Sequence, residues 1–154
     1  MMTIRSVLLL ALLGFLVSGC ASGEKFVGLE SPDKNQARVY LYRPFNLMQS
    51  GVFPDVLVDS KEVGTLKNGG YLTFTVPEGL HKITLAGGFL QWGHSDRDFA
   101  LEAADGETCF YQLDTTTSQQ GTYTLVGYAF FKAEKDVAMT ELVKLKASDS
   151  TKIK

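Results

Sequence analysis

The run Tyr71-Leu72-Thr73-Phe74-Thr75-Val76 alternates between apolar and polar side chains, and turn chemistry closes it on both sides, Asn68-Gly69-Gly70 before and Pro77-Glu78-Gly79 after. A side-chain period of two puts Leu72, Phe74 and Val76 on one face and Tyr71, Thr73 and Thr75 on the other, as a strand with one face on a core and one in water requires. The pattern recurs along the chain. Asp55-Val56-Leu57-Val58 and Glu62-Val63-Gly64-Thr65-Leu66 are separated by Asp59-Ser60-Lys61, the length and chemistry of a tight hairpin connection. After Gly79, His81, Ile83 and Leu85 share one side of a further strand, with Lys82 and Thr84 opposite. Asp98 to Glu102, Thr108 to Asp114 and Thr122 to Lys132 read as three more, with Asp105-Gly106 and the polar run Thr115 to Gly121 as turns.

The first strand, Ala37 to Arg43, is stopped by Pro44 and carries apolar or aromatic side chains on both faces, which predicts a central place in a sheet covered on both sides. A loop follows from Phe45 to Pro54. About eight short, regularly spaced strands predict a mainly β protein, a small antiparallel β-sandwich. Asp136 is placed to cap a short C-terminal α-helix from Val137 to Lys146, with Ala138, Leu142 and Leu145 on one face and Lys residues towards its end. A chain of 154 residues with 45% hydrophobic and 21% charged content has room for one ordinary domain. Its expected extent is residues 37–147, with 148–154 a disordered tail.

Several of these stretches together resemble a bacterial lipoprotein domain, the family DUF2846. They are Ala37-Arg38-Val39-Tyr40-Leu41-Tyr42-Arg43-Pro44, Val56-Leu57-Val58-Asp59, Val63-Gly64-Thr65-Leu66, Asn68-Gly69-Gly70-Tyr71-Leu72 and Pro77-Glu78-Gly79-Leu80-His81. Ser60 stands where that family's hairpin usually has Gly, which implies a slightly different turn. The resemblance implies a small antiparallel sandwich and no activity, because the family's function is unknown.

The N-terminus has the three parts of an export signal: Arg5 in a short polar stretch, the apolar run Val7 to Val17, then Ser18 and Gly19. That apolar run is too short to cross a hydrocarbon core, which takes roughly 20 helical residues. Val17-Ser18-Gly19-Cys20 looks like the lipobox of bacterial lipoproteins, with Val for the commoner Leu. The resemblance implies removal of residues 1–19 and a diacylglycerol on Cys20, palmitate being a typical acyl group. An ordinary cleaved signal or an uncleaved anchor is the alternative. Two or three acyl chains hold a protein stably where one does not. Ala21, rather than the Asp that in enteric bacteria retains lipoproteins at the inner membrane, favours the outer membrane of a Gram-negative envelope, facing the periplasm. Residues 20–36 are expected to form the lipidated N-terminus and a polar tether spanning about 20 to 25 Å. Alternatively, Phe26, Val27 and Leu29 pack on the domain as an edge element.

Only one stretch suggests ligand binding. Gly87 to Arg97 puts the single Trp among glycines and polar groups, with Phe89, Trp92, His94, Asp96 and Arg97 as candidate contacts for a glycan or small molecule. Core or edge cover is the competing use of Phe89 and Trp92. Arg43, at a strand end, is a further candidate for an anion or for a carboxylate of its own domain. Cys109 reads as a buried structural thiol, able to bridge to Cys20 only if Cys20 is not acylated.

His81 and His94 have neither the pairing nor the Cys neighbours of a metal site, and His81 reads as a hydrogen-bonded strand residue. No catalytic motif is present, so an enzyme, a cofactor and a resident metal are not expected. The net charge of -2 gives no basis for nucleic-acid binding. The expected partners are the membrane, through acyl chains on Cys20, and an envelope protein or a glycan.

Overall fold

A computed structural model describes residues 20–47, 51–87 and 96–151. Residues 1–19, expected to be a leader, lie outside them, as do residues 152–154. The described residues form two five-stranded sheets. The first has the order β8 (Tyr123–Lys132), β7 (Thr108–Gln120), β1 (Ala37–Arg43), β4 (Gly70–Val76), β9 (Lys146–Ala147). The second has the order β10 (Asp149–Ser150), β3 (Lys61–Thr65), β2 (Asp55–Val58), β5 (Gly79–Ala86), β6 (Arg97–Ala103). This is the expected mainly β sandwich with one short C-terminal helix, α1 (Lys135–Leu142). Two pairings, β1 with β7 and β4 with β9, are parallel, which an all-antiparallel sandwich would not contain.

The inward faces make one core. Val39 and Leu41 of β1 pack with Leu72, Phe74 and Val76 of β4, Val56 and Val58 of β2, Ile83 and Leu85 of β5, and Leu101 of β6. The alternation of β4 is realised residue by residue, its even-numbered positions buried and its odd-numbered ones half-exposed. β1 is central, as its two-sided apolar pattern requires: Tyr40 and Tyr42 point away from the main core and are still fully buried. A second cluster covers them, built from Phe26, Phe110, Ala138, Leu142 and Leu145.

Part of that cover, Phe26, comes from the stretch expected to be a tether. The amides of Ala21, Gly23 and Phe26 donate to the carbonyls of Asn68, Ala147 and Leu145 at 3.0, 3.1 and 3.3 Å. The Phe26 ring meets Tyr40 and Tyr71 edge-on, with centroids 5.9 and 5.6 Å away. Further along, the Glu30 amide donates to the Tyr40 hydroxyl at 2.7 Å, and Arg38 pairs with Glu30 at 3.3 Å. Residues 20–31 are therefore a strap across the outer face of the first sheet. The outer, tyrosine-bearing face of β1 supplies the apolar surface whose burial outweighs the entropy of holding a polar segment down. Of the three apolar residues there, Phe26 is buried and Leu29 half-buried, whereas Val27 points into water.

Other boundaries also move. The run Thr115 to Gly121, expected as a turn, continues β7 to Gln120, and only Gly121-Thr122 turns, with Gly121 in the left-handed region at φ 61°. Three consecutive β-branched threonines favour extended backbone, and a partner strand was available to pair it. The helix starts two residues earlier than expected, with Glu134 rather than Asp136 at its N-cap and no side-chain capping bond. It stops at Leu142, with no basic residue in its last turn. Lys146–Ala147 instead pairs with β4, and Asp149–Ser150, expected in a disordered tail, pairs with β3.

Phe26→Ala should cost about 3 kcal/mol, because it empties a site enclosed by two tyrosine rings. Urea unfolding of the wild type and the variant measures this, and a freely moving tether would leave the midpoint unchanged.

Candidate functional site

The loops gather at two ends of the sandwich. At one end lie the C-terminus of β1, the start of β4, the end of β5 and Cys20. At the other lie the β2–β3 turn, the start of β5 and the end of β6.

The first end is assembled on Asn68, which is fully buried. Its backbone forms a parallel bridge with Cys20, and its carbonyl accepts from Ala21. Its side-chain amide grips the backbone of Asn46 twice, Oδ1 accepting from the Asn46 amide at 2.8 Å and Nδ2 donating to the Asn46 carbonyl at 3.1 Å. The neighbours of Asn46 are thereby turned outwards, leaving Phe45 and Leu47 59% and 74% exposed. Gly70 permits the close packing beside them, since a Cβ there would fall 2.8 Å from the Ala21 Cβ and 2.2 Å from the Ser148 Oγ. Asn68 reads from sequence only as part of an Asn-Gly-Gly turn. Its second role depends on residues far away in the chain.

Of the candidate ligand contacts, Arg43, Asp96 and Arg97 belong to this same end. Phe89, Trp92 and His94 lie outside the described residues. Asp96 accepts from the Gly87 amide at 3.3 Å, tying together the two stems of that connection. Arg97 is exposed and holds its guanidinium carbon 6.0 Å from the centre of the Tyr128 ring, a cation–π contact. Arg43 is 1% exposed and donates to the Val52 carbonyl, so its guanidinium is enclosed rather than presented at the surface. Burial raises the Tyr128 hydroxyl above its ordinary pKa, while the charges of Arg43 and Arg97 oppose the rise.

At the opposite end Asp59 and Ser60 form a two-residue hairpin turn, both in the left-handed region at φ 48° and 71°. Such backbone is unfavourable outside glycine, and here it is held by bonds to β5. The Asp59 amide donates to the Lys82 carbonyl, and Asp59 Oδ1 accepts from the Lys82 amide, both at 2.9 Å. Asp59 Oδ2 meets His81 Nδ1 at 2.7 Å, and His81 Nε2 lies 2.9 Å from the Pro77 carbonyl. A carbonyl can only accept, and an ionised Asp59 likewise, so the two contacts together favour the protonated, imidazolium form of His81. Burial alone would lower its pKa, but the hydrogen bonds to Asp59 and Pro77 and the Asp59 charge together outweigh burial and raise it above 6.5. The His81 bond and the Lys82 amide hold Asp59 below its ordinary value.

Asp59, His81, Lys82, Asp98 and Phe99 line an open groove of about 390 Å³ at this end. Lys82 and Thr84 donate to Asp98 at 3.3 and 2.7 Å. With both ring nitrogens engaged, His81 acts as a clasp on the turn. Cys109 is fully buried in the core, and burial together with nearby Glu107 pushes its thiol up to about 11, so it remains protonated. Among the described residues no group of three or more His, Cys, Asp or Glu side chains could hold a metal ion, and no helix is long and apolar enough to cross a membrane.

The clasp has a definite pH signature. The His81 value in the folded protein lies above that of the unfolded chain, so its contribution to stability is complete below about pH 6.5 and fades as pH rises through the folded value. The Asp59 contribution fades only as pH falls through the low carboxylate range. The His81 imidazole resonances followed by NMR should titrate with a midpoint above 6.5. Asp59→Asn should bring that midpoint down, and an unchanged midpoint would show that Asp59 does not set it.

No curated protein and no solved structure matches the chain. A family model does match, over residues 33–127, which takes in β1 to most of the β7–β8 hairpin and leaves out the strap, α1, β9 and β10. With its double-faced first strand, its Asp-Ser hairpin and its Asn-Gly-Gly turn all inside that span, the chain belongs to the family described as proteins of unknown function, DUF2846.

Proposed function

We propose that the protein is a lipid-anchored envelope lipoprotein whose sandwich serves as a non-catalytic interaction or structural module. The observation that carries this reading is the position of Cys20. The apolar leader and lipobox-like Val17-Ser18-Gly19 end directly before it, and from Ala21 onwards the chain is bonded to the domain. The residue proposed to carry the lipid is also where the folded domain begins. Acyl chains on Cys20 would attach the domain to the membrane, with an envelope protein or glycan as the partner of its free surface. Ala21 rather than Asp supports an outer-membrane location facing the periplasm.

Cys20→Ala should abolish incorporation of labelled palmitate and move the protein from the membrane to the soluble fraction. Palmitate retained in that variant would overturn the reading. Density-gradient separation of inner and outer membranes decides the location.

A second reading, a glycan or small-ligand module built on Phe89 to Arg97, draws support from Arg97, whose exposed guanidinium sits over Tyr128 at the base of that segment. It expects Trp92 fluorescence to be red-shifted and accessible to iodide. A blue-shifted, quencher-resistant Trp92 removes its main support.

A further inference from the structure

We propose that the Cys20 end of the sandwich sits directly on the bilayer interface, with Phe45 and Leu47 inserted among the lipid headgroups. The inference rests on the reading that the chain is attached to the membrane at Cys20, and it adds how the domain is held there.

The geometry leaves no spacer. Ala21, Gly23 and Phe26 are all bonded to the domain, so the slack that a free segment of residues 20–36 would supply is absent. A lipid on Cys20 therefore brings the surface around Asn68 to the level of the headgroups. An uncleaved leader would do the same, because its apolar run ends at Val17, three residues before Cys20.

That surface is suited to the place. Asn68 binds Cys20 through its backbone and Asn46 through its side chain, so Phe45 and Leu47 stand beside the attachment point as a matter of hydrogen bonding. Both are largely exposed, and the Phe45 side chain lies over Gly69, where an added Cβ would be 3.5 Å from its Cβ and Cδ2. Apolar side chains held outwards next to a lipid anchor gain by burial at the boundary between headgroups and acyl chains, and they add a second membrane contact to the acyl chains. The β7–β8 hairpin projects beyond the last β1–β7 pair, Tyr42 with Gln112, at this same end and exposes Thr116, Gln119 and Gln120. Its polar tip suits the aqueous side of the headgroups, so the sandwich leans on the surface rather than standing upright on Cys20.

The test uses the full chain, expressed in a bacterium and purified from membranes, with an environment-sensitive fluorophore on Leu47→Cys or, as the distant control, on Leu80→Cys. Leu80 is 75% exposed at the opposite end. Each protein is reconstituted into phosphatidylethanolamine–phosphatidylglycerol vesicles carrying a headgroup nitroxide, and its mass is measured for acyl groups and retained leader. The expected result is about a twofold loss of fluorescence at position 47 and little at position 80. Acylated or leader-bearing protein with equal, weak quenching at both positions overturns the docking and leaves the attachment intact. Protein with neither acyl mass nor leader, and no vesicle binding, overturns the attachment and the docking with it.

Discussion

The structure depends on β1 being apolar on both faces. A strand of this kind cannot lie at the surface of a sheet, and a two-layer sandwich covers only one of its sides. Val39 and Leu41 are satisfied by the second sheet, but Tyr40 and Tyr42 need a third layer. The chain makes that layer from the two segments flanking the sandwich, the strap at residues 20–31 and α1 with Leu145. Each aromatic ring buried there contributes about 1.5 to 3 kcal/mol, enough to hold a polar strap in place. The same cover explains the Tyr42 hydroxyl, which burial and the nearby Glu141 raise to about 12 and which donates to Gln112 at 3.0 Å.

Closing the third layer determines where the N-terminus emerges. The strap runs antiparallel to the segment around Lys146 and ends at Asn68, so Cys20 arrives at one particular end of the sandwich. The two ends differ in kind. At the Cys20 end a buried amide side chain organises backbone and turns two apolar residues outwards. Away from that end an Asp–His clasp and the exposed ion pairs Lys82–Asp98 and Lys132–Glu107 stand beside the exposed Leu80.

Much of this was legible in the residues. The strict alternation of Tyr71 to Val76, the double-sided apolar pattern of Ala37 to Arg43 and the punctuation by Gly, Pro and Asn are local properties, and the observed strands follow them. The errors have a common origin. Thr115 to Gln120 is polar enough to read as a turn, and it became strand because β8 lay beside it. Residues 21–31 are polar enough to read as a tether, and they became a strap because tyrosines elsewhere needed cover. Lys146 and Asp149 are charged, and they pair because sheet edges were open to them. In each case a long-range partner outweighed local composition.

The sequence by itself determined the class of fold, the positions of most strands and an apolar run that ends shortly before Cys20, because periodicity, turn chemistry and hydrophobic runs are written in neighbouring residues. Only the tertiary structure decided that Cys20 has no free tether behind it, that Asn68 gathers Cys20 and Asn46 at one corner, that Arg43 is enclosed, and that His81 is clasped by Asp59 and Pro77. Those facts depend on hydrogen bonds between residues distant in the chain. Side-chain period has no bearing on such bonds. They form where the packing of β1 brings their donors and acceptors together.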